Sequence, residues 1–150
     1  MTHPTISFGF RRLACAQFVA SIVAAILWGS GVFLYSILLA HDERSLIDLQ
    51  QVILAGIAQI TVLLGISLVF LMLFIPNKKR PVATAATLWS GASFLRFLAA
   101  LGASSLLYYA AQFGVRPLMF SFLITAVLLL ICETRVIAHD ISNISTLTKE

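Results

Sequence analysis

Apolar residues run in four long stretches with short polar breaks between them: about 13–40, 52–75, 82–111 and 118–138. Each is long enough to cross a bilayer as a helix, which takes about 17–25 residues. The pattern predicts an all-α membrane protein, an antiparallel bundle of four transmembrane helices in a single domain, followed by a polar tail over 139–150. The first stretch follows "FRR" and is far longer than the apolar region of a signal peptide, so it reads as a retained anchor. Ser45 and Asp48 have capping-box-like spacing, which starts the second helix in the loop before it enters the bilayer near Val52. Pro76 and Asn77 stop that helix, and Pro117 suits the first turn of the fourth. The connections are short, so successive helices are expected to be antiparallel neighbours.

Composition agrees: 60% of the chain is hydrophobic and 11% charged, about half the charge of a soluble domain. The net charge of +4 comes from residues flanking the spans, so it points to membrane topology and not to nucleic acid. Arg11, Arg12, Lys78, Lys79, Arg80, Arg135 and Lys149 fall on one side, and only Arg44 and Arg116 on the other. The positive-inside rule places both termini and the "NKKR" loop in the cytoplasm, where Arg11, Arg12, Lys78, Lys79 and Arg80 form a basic anchor. Cys15 and Cys132 lie near span ends on that reducing side and read as small apolar filler.

Two charges stand deep within the spans, and a third, Arg135, lies near the end of the fourth. Arg96 is seven residues past Trp89, roughly 10 Å into the bilayer from the edge that Trp89 marks. Glu133 is five residues before Ala138, roughly 8 Å from the same surface. An acid and a base thus lie at similar depth on consecutive helices. On a helical wheel Ala92, Ser93, Ala99, Ala100, Ala103 and Ser104 share the side of Arg96, and Phe94, Leu98 and Leu101 lie opposite. Small residues permit close helix contact, so the Arg96 face turns toward the bundle or a partner. Three roles fit: a structural ion pair, a contact for another membrane protein, or part of an ion path. Gln59 is an intramembrane polar group suited to bonding across helices. Gly29 and Gly31 read as packing or bending residues. Arg135 lies on the opposite face from Glu133 and suits snorkelling to lipid headgroups.

Catalytic chemistry finds no support in the pattern. His3, His41 and His139 lie outside the apolar interiors, and no acid pair, nucleophile–base set or phosphate-cradling glycine loop is present. No enzyme activity, cofactor or metal is expected.

Several features together resemble the ATP synthase protein I family, the small accessory "I chain" of bacterial F-type ATP synthases. They are the size and four-helix layout, the start "FRRLACAQFVASIVAAILW", and above all "WSGASFLRFLAALGASSLLYY" leading by a short loop into "RPLMFSFLITAVLLL". The resemblance is detailed over about residues 85–138, with Gly91 and Arg96 matching the family's third-helix pattern. It implies residence in the bacterial inner membrane and a role in assembling the ring of c subunits, with magnesium uptake also suggested for the family. The expectation is therefore a non-catalytic assembly factor or accessory subunit whose partners are the bilayer and other membrane subunits, ATP synthase c subunits among them. The alternatives are a small ion or metabolite transporter using Arg96, Glu133 and Gln59, and a structural subunit of another respiratory or photosynthetic complex.

Overall fold

A computed structural model describes residues 5–7, 9–39, 44–74 and 78–147. Four helices occupy most of them: α1 (Phe10–Leu39), α2 (Arg44–Phe74), α3 (Val82–Ala111) and α4 (Val115–Leu147). All four are long and apolar enough to cross a membrane, and the chain is a multi-pass membrane protein of all-α class. The side chains of Ser45 and Asp48, within α2, are not described, and the stop residues Pro76 and Asn77, together with His3, His41 and Lys149, lie outside the described residues.

The helix bounds follow local chemistry. Proline in a first turn has no intrahelical donor to lose, so α4 starts at Val115, ahead of Pro117 and ahead of the expected Leu118. Between Leu118 and Leu147 there is no glycine or proline, and α4 runs on through the stretch expected to be a polar tail. Asp140 helps hold that extension, since Arg12 of α1 donates to it at 3.2 Å. The helix α3 spans the expected 82–111 and ends on Gln112 in the left-handed region (φ 53°, ψ 31°), an uncommon conformation for a residue with a Cβ.

Three helices interlock and the fourth stands at the rim. The buried stripe of α1 runs Leu13, Gln17, Ala20, Ser21 and Ala24, and that of α4 runs Leu118, Ser121, Phe122, Thr125, Leu129 and Glu133. Both have the spacing of one helix face, and α1 packs extensively on α4 and on α2. Small residues let these backbones approach. At Gly56 the Trp28 indole occupies the space a Cβ would need. Gly29 and Gly31, expected to serve packing, have no neighbour where a Cβ would stand.

By contrast, only Ala85 and Ala100 of α3 are buried. It leans on α2, through Phe74 and Trp89 edge to face at 5.3 Å. Of the consecutive helix pairs, α3 and α4 touch least, although only residues 112–114 separate the two. The two are neighbours, as expected of successive helices, but they pack less closely than the other consecutive pairs. The Phe97 and Phe122 rings meet at 5.5 Å between the two helices. A cleft of about 690 Å³ opens above them, between Ser104, Tyr108 and Tyr109 on α3 and Arg116, Met119 and Leu123 on α4.

One feature has no counterpart in the sequence pattern. Two short strands, β1 (Thr5–Ile6) and β2 (Arg80–Pro81), pair antiparallel and tie the N-terminal segment to the start of α3.

Candidate functional site

Glu133 is 1% exposed, and three helices converge on its carboxylate. From α3, Arg96 donates through Nη1 to Oε1 and through Nη2 to Oε2, the second at 2.8 Å. From α1, the Gln17 amide donates to Oε1 at 2.8 Å. Paired N–H donors on a carboxylate are the strongest side-chain hydrogen bonds. Here they lie where neither charge is well solvated, with side-chain exposures of 12% and 1%. The pair neutralises two charges that would each cost a few kcal/mol alone in the membrane.

Helix geometry explains the convergence. Glu133 continues the buried stripe of α4, and Gln17 is one turn past Leu13 on the buried stripe of α1. Gln17 was not singled out from the sequence. The available signal was its place among small apolar residues in "ACAQFVAS", at helical spacing from Leu13 and Ala24. Ser67 of α2 completes the surroundings: it lines a cavity of about 10 Å³ with Gln17, Ser93 and Arg96, the size of a single water. Gln17 Oε1 and Ser67 Oγ, both buried, have no hydrogen-bond partner among the described residues.

A second polar contact lies further from the basic end. Gln59 is fully buried and donates to Ser104 Oγ at 2.6 Å, while that hydroxyl donates to the Ala100 carbonyl at 2.8 Å. It joins α2 to α3, as a bond across helices.

The remaining candidates divide. Ala100 is buried against Ala20, Leu63, Phe122 and Leu129, and Ala92, Ser93, Ala103 and Ser104 are half-buried. Gly91 and Ala99 are exposed, and nothing stands within 4 Å of where a Gly91 Cβ would be. Arg11, Arg12, Lys78 and Lys79 are exposed at one end of the bundle, called here the basic end. Arg80 differs from its neighbours: it donates to the Phe74 carbonyl at 3.2 Å and lies 4.9 Å over that ring. A cation at the last carbonyls of a helix satisfies them and suits the helix dipole, so Arg80 caps α2.

In chemical terms the Glu133 site is a polar knot. Its acid is engaged by two neighbours, Arg96 and Gln17. Among the described residues no three His, Cys, Asp or Glu side chains gather as metal ligands would. What the arrangement can do is lock α1, α3 and α4 in register. No protein-family model, no curated protein and no solved structure matches this chain.

Proposed function

We propose that the protein is a non-catalytic accessory subunit or assembly factor of a bacterial inner-membrane complex, working by side-to-side helix contact. ATP synthase is the candidate complex, with its c subunits as the neighbours. That choice of complex rests on the sequence resemblance, above all "WSGASFLRFLAAL" with Gly91 and Arg96. Both termini face the cytoplasm, on the bias of Lys and Arg toward one end.

The observation that carries a contact role is the outward side of α3. Gly91, Leu95, Gly102 and Tyr109 project along one strip of that helix, and all are exposed. Glycines between larger residues make a notched surface on which another helix seats closely. The Arg96–Glu133 pair anchors the same helix from behind, so a rim helix with only two buried residues keeps one orientation.

Purification in mild detergent tests this reading. ATP synthase components should accompany the full chain, and a deletion strain should assemble fewer complete c rings. Recovery of the chain alone, with normal ATP synthase in the deletion strain, would set it aside. Recovery of a different respiratory complex would keep the accessory role and replace the partner.

A second reading, passage of a small ion, draws on the buried polar atoms. Gln17 Oε1, Ser21 Oγ, Gln59 Oε1 and Ser67 Oγ are unpartnered among the described residues. The accessory reading is favoured because Arg96 already neutralises Glu133 and the cavity beside them holds about 10 Å³. Ion flux through proteoliposomes of the pure chain would reverse that preference.

A further inference from the structure

At the basic end the groove between α1 and α4 combines cations with an apolar wall. Arg12, Arg135, His139 and Asp140 line it together with Ala16, Val19 and Val136. The groove is shallow and widely open, with a volume of about 580 Å³. Asp140 is nearly buried and engaged, with Arg12 Nη1 at 3.2 Å and His139 Nδ1 at 3.9 Å. Arg12 uses one nitrogen there and keeps its side chain 68% exposed, so the rest of its donor fork faces outward. Arg135 is exposed and makes no ion pair among the described residues. Two guanidiniums against one carboxylate leave one positive charge over the groove.

We propose that this groove is a binding site for an anionic phospholipid. The phosphate meets Arg135 and the free edge of Arg12, and one acyl chain lies along Ala16, Val19 and Val136. Guanidinium matches phosphate in geometry as well as charge, and basic pockets between transmembrane helices are recurrent lipid-headgroup sites. The apolar lining of Ala16, Val19 and Val136 selects a lipid over free phosphate, which has nothing to place there. The excess charge selects an anionic headgroup over a zwitterionic one. A lipid held here would also cover the α1–α4 seam beside Arg12 and Asp140, the contact that joins the end of α4 to α1.

The test is native mass spectrometry of the full chain in detergent, titrated with phosphatidylglycerol or phosphatidylcholine. The wild-type chain should retain phosphatidylglycerol in preference. Arg135→Gln, which removes no internal contact, should bind it about fivefold more weakly, the worth of one basic side chain beside an anionic surface. Val19→Trp fills the groove and leaves every charge in place, and it should weaken both lipids. Arg116→Gln, at the opposite end, should bind as the wild type does. Equal retention of the two lipids by the wild type would overturn the proposal. So would unchanged binding in Arg135→Gln or Val19→Trp, an equal loss in Arg116→Gln, or displacement of the lipid by inorganic phosphate.

Discussion

Arg96 on α3 grips both carboxylate oxygens of Glu133 on α4, across the two consecutive helices that otherwise touch least. The contact between them is thus electrostatic at one level and aromatic at the next, where Phe97 meets Phe122. Loss of one partner leaves the other charge buried alone, at a cost of about 3–5 kcal/mol. Arg96→Ala and Glu133→Ala should each lower the unfolding midpoint of the purified chain, and the double variant should lose less than the two single losses added. The exchange Arg96→Glu with Glu133→Arg should restore part of the midpoint. Simple additivity in the cycle would mean that the residues do not couple.

Gln17 supplies Glu133 with a third donor from α1. Gln17→Leu keeps the volume and removes the bond, and is expected to cost about 1 kcal/mol, in the range of single hydrogen bonds between membrane helices. Gln17→Glu sets a second carboxylate beside the first and should be clearly worse. Equal midpoints for the two variants would show that the amide does not serve Glu133.

Trp28 lies over Gly56 where α1 meets α2. Gly56→Ala places a methyl group inside the indole and should destabilise the chain by about 1–3 kcal/mol, the usual range for overpacking. Trp28→Ala in the same chain should recover part of the loss. Gly31→Ala, with open space around it, should be neutral or slightly stabilising, since alanine is the better helix former. A Gly56→Ala chain as stable as the wild type would contradict the close approach.

Much of this architecture was legible in the sequence because bilayer thickness sets span length and apolar runs report it directly. The helix α3 spans 82–111 as the pattern indicates. Depth arithmetic from Trp89 and Ala138 puts Arg96 and Glu133 level, and the structure places them in contact. Features that depend on how helices lean were hidden. The contact between α3 and α4 includes two rings, Phe97 and Phe122, and each looks like an ordinary lipid-facing residue on its own helix. The continuation of α4 to Leu147 is obscured by the polarity of its end, which does not stop a helix without a breaker, and none is present. Gly56 was passed over for Gly29 and Gly31 because a glycine's role depends on the side chain opposite it, here Trp28.

Single-cysteine labelling in a cysteine-free background addresses orientation. Position 79 should react with a membrane-impermeant reagent only after cells are opened, and position 113 in intact cells. Reaction at position 79 in intact cells would invert the proposed topology and move the lipid groove to the other leaflet.

The central claim is that the outward strip of α3 seats against another membrane protein. Photo-crosslinking in native membranes tests it most directly, with a photoreactive residue placed singly at Leu95, at Leu98, and at Ile26 on the exposed side of α1. The account predicts a discrete adduct with another membrane subunit from the α3 positions and lipid adducts only from Ile26. Lipid adducts alone at all three positions, with the chain at its natural abundance, would contradict it.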